Sequence, residues 1–102
     1  MKTYVLERCC RGRYPTVTVH LGNVAEETRP LEHILRHSPD GFEWGYGGSG
    51  PTDLALALVA DVLGDRNPTP HLYQRVRNQL VAQIPREGGE ITEGQVLGVL
   101  AS

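Results

Sequence analysis

Gly47-Gly48-Ser49-Gly50-Pro51-Thr52-Asp53-Leu54-Ala55-Leu56-Ala57-Leu58-Val59-Ala60-Asp61-Val62-Leu63-Gly64 is the stretch around which the rest of the chain arranges itself. From Leu54 to Leu63 every residue except Asp61 is apolar. A helix that is apolar on every side has no face to offer water and must be surrounded by other elements. The run therefore predicts a central core helix from Pro51 to Leu63. Its ends carry consistent signals. Proline suits the first helical position, where an N–H would have no partner. Asp53 places a negative charge in the first turn, against the positive end of the helix dipole. Gly64 stops the helix as a C-terminal cap. The same run is far too short to cross a bilayer. Gly47, Gly48, Ser49 and Gly50 read as a flexible turn feeding the helix, because glycine reaches positive φ without steric cost.

Before that turn, Phe42, Trp44 and Tyr46 alternate with Glu43 and Gly45. A period of two predicts a short strand with its aromatics on one face. Further upstream, Lys2 to Arg8 and Thr16 to Leu21 predict a hairpin turning at Arg11-Gly12-Arg13, with Val17, Val19 and Leu21 on its buried face. Gly22-Asn23 closes it. Residues 26–40 are polar and irregular, with one helical turn expected at Pro30 to Leu35. Downstream, Thr69-Pro70 opens a second helix whose buried stripe is Leu72, Val76, Leu80 and Ile84, ended by Pro85 and Gly88-Gly89. Thr92-Glu93-Gly94-Gln95 has the form of a capping box and starts a last helix carrying Val96, Leu97, Val99 and Leu100. The expectation is one α+β domain over residues 1–102. Its small antiparallel sheet, the N-terminal hairpin plus a short third strand, packs on about three helices.

The totals narrow the function classes. Among 102 residues, 39% are hydrophobic and 22% charged, a globular balance with room for one modest core. A net charge of −2 argues against general nucleic-acid binding, which needs a cationic excess. The charge is unevenly placed: residues 1–22 carry four bases against one acid, residues 23–65 two against eight. The only cysteines, Cys9 and Cys10, are adjacent and point to opposite faces of an extended chain, a poor disulfide. The opening MKTYVLERCC lacks the apolar core of a signal peptide. A cytoplasmic protein with no membrane span is expected, its oligomeric state open.

The run His37-Ser38-Pro39-Asp40-Gly41-Phe42-Glu43-Trp44-Gly45-Tyr46-Gly47-Gly48-Ser49-Gly50-Pro51 followed by Leu54-Ala55-Leu56-Ala57 resembles the signature of an uncharacterised family of small bacterial and phage proteins. The resemblance continues through Leu72-Tyr73, Ala82-Gln83-Ile84-Pro85 and the capping-box helix. Asp53 departs from the pattern, in which glutamine is common at that place. The resemblance implies kinship and no activity.

The chemistry available to the motif is that of a binding site. A glycine-rich turn before a helix presents unpaired N–H groups at the positive end of a dipole, a combination that holds phosphate or carboxylate. Gly47, Gly48, Ser49 and Gly50 supply the amides, Ser49 a hydroxyl, Trp44 and Tyr46 rings for stacking, with Asp53 and His37 nearby in sequence. The turn has neither the lysine of a P-loop nor the spacing of a dinucleotide fingerprint. The plainer reading is that the glycines permit a tight reversal and the aromatics fill the core. A protein–protein accessory role is the alternative, using Arg8, Arg11 and Arg13 at the hairpin tip. A hydrolase using Ser49 or His37 comes third, because the elbow that exposes a serine nucleophile needs glycine where Pro51 stands. His33 and His37 have the four-residue spacing of a metal pair on a helix, but Pro39 and the polar surroundings make a helix there doubtful and no third ligand has telling spacing. Neither metal nor cofactor is expected.

Overall fold

The computed structural model describes residues 2–9, 14–22 and 27–102. Two long strands, β1 (Lys2–Cys9) and β2 (Tyr14–Leu21), pair antiparallel with Lys2 opposite Leu21 and Arg8 opposite Pro15. The hairpin is as the alternation predicts, and its turn at residues 10–13 lies outside the described residues. A short β3 (Thr28–Pro30) adds to the free side of β2, and β4 (Gly88–Thr92) to the free side of β1. The sheet order is β3-β2-β1-β4, antiparallel throughout. Three helices complete the α+β fold: α1 (Ser49–Leu63), α2 (Pro70–Gln79) and α3 (Glu93–Ala101).

The inward face of the sheet carries Tyr4, Leu6, Val17, Val19 and Ile91, all buried, while Glu7, Thr16, Thr28 and Glu90 face out. That split is the period of two at work. α1 is buried continuously from Gly50 to Ala60, as its unbroken apolar run requires. It packs against α2 and α3, and β1 reaches it through Tyr4, whose hydroxyl donates to Asp61 Oδ2 at 2.6 Å. Asp61, the one charge within the apolar run, also accepts from Arg29 Nη2 at 2.5 Å and pairs with Lys2 Nζ at 3.3 Å. Its carboxyl is held below the usual range: burial pushes it up, but the Tyr4 and Arg29 contacts outweigh that. Gly64 closes α1 at φ 68°, its N–H donating to the Ala60 carbonyl.

Several expectations need correcting. Residues 42–46 are not a strand. Gly45 sits at φ 88° and gives its N–H to the Val81 carbonyl at 3.0 Å, which turns the chain and breaks the alternation. Phe42 and Trp44 are buried, whereas Tyr46 is 53% exposed. The added strands are β3, which ends at Pro30 where a helical turn to Leu35 was expected and none forms, and β4, which begins within the Gly88-Gly89 pair read as a helix stop. Gly88 belongs there for a reason of contact. At φ 123° it lies so close to β1 that a Cβ would land on the Leu6 carbonyl oxygen. α2 ends at Gln79 rather than Ile84, and a single 3-10 turn (Val81–Gln83) follows it. The capping box forms as read. Gln95 N–H donates to Thr92 Oγ1 at 3.1 Å and Thr92 N–H to Gln95 Oε1 at 2.8 Å, so β4 passes directly into α3.

Candidate functional site

The glycine-rich turn is built against β1 and the segment after α2. Arg8, near the end of β1, points inward rather than out with the hairpin tip. Its guanidinium clasps Glu43 with both terminal nitrogens, at 3.1 and 2.5 Å, while Nε donates to the Arg86 carbonyl at 2.5 Å. The same guanidinium lies 4.6 Å over the Trp44 ring, and Trp44 Nε1 donates to the same Arg86 carbonyl at 3.1 Å. A two-pronged arginine–carboxylate pair stacked on an indole holds both groups in one geometry. Arg8 raises its already high pKa through this bond, and Glu43 is held below its ordinary value by it. With only 7% of its side chain exposed, Arg8 is spent on the fold and is not part of a free basic patch. Arg11 and Arg13 lie outside the described residues.

This assembly accounts for much of the motif architecturally. Trp44 is 2% exposed and offers no face for stacking. Gly50 is buried against Glu43, where an added Cβ would come within 2.8 Å of the Glu43 Cβ. The Tyr46 ring lies over Gly48. α1 starts two residues earlier than expected, so Gly48 is the N-cap, Ser49 and Gly50 open the first turn, and Pro51 is the third helical residue. Thr52 donates both its N–H, at 3.0 Å, and its hydroxyl, at 2.7 Å, to the Gly48 carbonyl. Arg77 Nη1 reaches the Thr52 hydroxyl at 3.0 Å. Ser49 and Gly50 N–H groups have no acceptor among the described residues. Gly47 has open space around it.

What remains open beside the turn is a depression of about 300 Å³ lined by Arg8, Glu43, Trp44, Gly45, Tyr46 and Arg86. Tyr46 supplies an exposed ring. Arg86, exposed and without an ion-pair partner among the described residues, supplies a free guanidinium. Arg86 was not a candidate from sequence. It follows a proline at the end of a helical pattern, and nothing local signals that it meets residues 43–46.

Asp53 does something different from what its place in the sequence suggests. It is the fifth residue of α1, past the first turn, and its carboxylate is fully buried. Three successive backbone N–H groups donate to it: Arg36 at 3.3 Å, His37 at 2.9 Å and Ser38 at 2.9 Å. The fourth donor is His33 Nε2, 2.8 Å away, the nitrogen that must carry the proton because an ionised carboxylate only accepts. Burial pushes the Asp53 carboxyl up, yet these four donors bring it below its ordinary value. Asp53 is therefore the anchor of the irregular segment 31–41, and it neither faces the helix dipole nor lines the depression. His37, in that segment, sits 3.0 Å by Nε2 from the Tyr73 hydroxyl and does not line the depression.

Ser49 makes no side-chain hydrogen bond among the described residues. His37 has a hydrogen-bond partner in Tyr73 but does not line the depression beside the turn. His33 and His37 occupy a loop, and each engages a protein partner through Nε2. Among the described residues no three histidine, cysteine or acidic side chains converge to hold a metal ion. Among them, too, no helix is long and apolar enough to cross a membrane.

Residues 6–102 match the model of a family of unknown function, DUF6166, and the chain belongs to that family. No curated protein and no solved structure matches it.

Proposed function

We propose that this chain is a small binding module whose ligand surface is the depression between Tyr46 and Arg86, and that it takes a phosphate-bearing or other anionic small molecule. The observation that carries the reading is the exposed Arg86 guanidinium, without an ion-pair partner among the described residues, beside an exposed Tyr46 ring, at a wall made rigid by the Arg8–Glu43–Trp44 stack. Rigid walls lose little entropy on binding, so a modest number of contacts suffices. An aromatic ring and an arginine together suit a ligand with a planar body and an anionic group. The Ser49 and Gly50 amides, without an acceptor among the described residues, lie next in sequence to this wall and favour the same sign of charge. The glycines of the turn act as architecture, and Trp44 acts as support beneath the site.

The test is a titration of a mononucleotide, and separately of inorganic phosphate, followed by Trp44 fluorescence and calorimetry. Trp44 is the only tryptophan, and its indole N–H is bonded at the edge of the site. Tyr46→Ala should weaken mononucleotide binding by about 1–3 kcal/mol through lost stacking. Arg86→Ala should cost about 1.5–3 kcal/mol through a lost charge-assisted bond and should also weaken phosphate. Absence of saturable binding at millimolar ligand would remove the proposal. The accessory, protein-binding reading, argued from the Arg-rich hairpin, gains from the structure only the exposed side chains Leu35, Leu63 and Leu97, which sit on three different segments. Single exposed leucines are ordinary on soluble proteins, so they favour no particular partner.

A further inference from the structure

A second depression, of about 270 Å³, lies toward the opposite end of α1 from the glycine-rich turn. Its floor is apolar, made by Leu31, Ala57, Ala60 and the half-buried Ile34. Ala57 and Ala60 are three residues apart and share a helix face, and their small side chains leave room beneath residues 31–34. The rim is charged with both signs. Arg29 is paired to Asp61. Arg66 is paired to Glu32, with both side chains more than 60% exposed, so that pair adds little stability and opens at little cost. Asp65 has no ion-pair partner among the described residues; its Oδ1 accepts the Asn67 N–H at 2.9 Å.

We propose that this groove is a separate binding site for a small zwitterion with an apolar body, of the class of a free aliphatic amino acid. The apolar part lies on the alanine floor. The ammonium goes to Asp65, which has no counter-ion among the described residues, and to Glu32. The carboxylate goes to the guanidinium of Arg66, with Arg29 behind it. A ligand of single charge would answer one sign of the rim and leave an opened Arg66–Glu32 pair half satisfied. A ligand with both charges answers each partner. The volume sits just below the ~300 Å³ at which sites for drug-sized ligands begin, which fits a molecule of this size. This site is independent of the Tyr46–Arg86 depression and stands or falls apart from it.

The probes are leucine, leucinamide (ammonium only) and N-acetyl-leucine (carboxylate only), titrated against the full chain by calorimetry and by amide chemical shifts. Leucine should bind saturably in the millimolar range or tighter, with shifts centred on Leu31, Ile34, Ala57 and Ala60. Each singly charged analogue should bind about tenfold or more weaker, as loss of one charge-assisted contact implies. Ala60→Leu fills the groove and should abolish binding. Should that variant fail to fold, the exposed-site variants Asp65→Asn and Arg66→Ala decide the matter, each expected to weaken leucine severalfold while Tyr46→Ala leaves it unchanged. No saturation with leucine, equal binding of the three probes, or indifference to both Asp65→Asn and Arg66→Ala would overturn the proposal.

Discussion

Asp53→Asn is the substitution whose cost follows most directly from the structure. It changes one oxygen to an NH₂ and leaves shape and volume nearly the same. In the native protein Oδ2 accepts from His33, Arg36 and Ser38, and Oδ1 accepts from His37. An asparagine can keep its oxygen at the three-donor side, but its NH₂ then faces the His37 N–H, donor against donor. That part-buried N–H, left unpaired, costs up to about 1–3 kcal/mol. The three remaining bonds lose their charge assistance, and a charged acceptor is worth up to about twice a neutral one, so roughly another 1–2 kcal/mol goes with them. The expected loss is about 2–5 kcal/mol, a large share of the ~5–15 kcal/mol of a typical domain. Urea unfolding measures it, and amide exchange locates it. The Arg36, His37 and Ser38 amides should exchange much faster in the variant, while β1 and β2 amides weaken only with global stability. A loss under about 1 kcal/mol with unchanged exchange at residues 36–38 would refute the view that this carboxylate anchors the segment.

Three further outcomes are expected. Leu56→Ala or Leu58→Ala, both fully buried in α1, should each destabilise the protein by about 2–5 kcal/mol in urea unfolding; less than about 1 kcal/mol at both would place α1 outside the core. Gly88→Ala combines a forbidding φ of 123° with collision at the Leu6 carbonyl, so it should detach β4 from β1, seen as lost protection of the Tyr4 and Leu6 amides. Stability should fall at both pH extremes. Glu43, Asp53 and Asp61 have folded pKa values below their unfolded ones, so their contribution is complete above the ordinary carboxylate range and is lost as pH falls through it and below. Tyr4, buried and bonded to Asp61, has its pKa raised well above the ordinary value, so its contribution is present below pH ~10 and lost as the unfolded tyrosine ionises above it. Tyr4→Phe should flatten the alkaline limb, and Asp53→Asn the acid limb, in denaturation measured against pH.

Sequence by itself determined the elements whose signal is local and repeated. The continuous apolar run of α1 demanded burial, and Gly50 to Ala60 are buried. The alternation of Val17 and Val19 placed both on the inward face, and the Thr92–Gln95 capping box formed with both its bonds. Each of these is decided by neighbours within a few residues, through backbone geometry or side-chain period. Tertiary structure alone decided the rest. Phe42, Trp44 and Tyr46 carry a strand's alternation, yet Gly45 bonds to Val81 and turns the third ring out to solvent. β4 has one buried apolar side chain, Ile91, which is too little period to read, and it exists because β1 offers a free edge and Gly88 can approach it. Arg8 looked like part of a basic tip until Glu43, thirty-five residues away, took its guanidinium. Asp53 looked like a helix-end charge until residues 36–38 folded over it. A charge or a glycine has no period, and its role is set by the partner that long-range folding brings within hydrogen-bond reach.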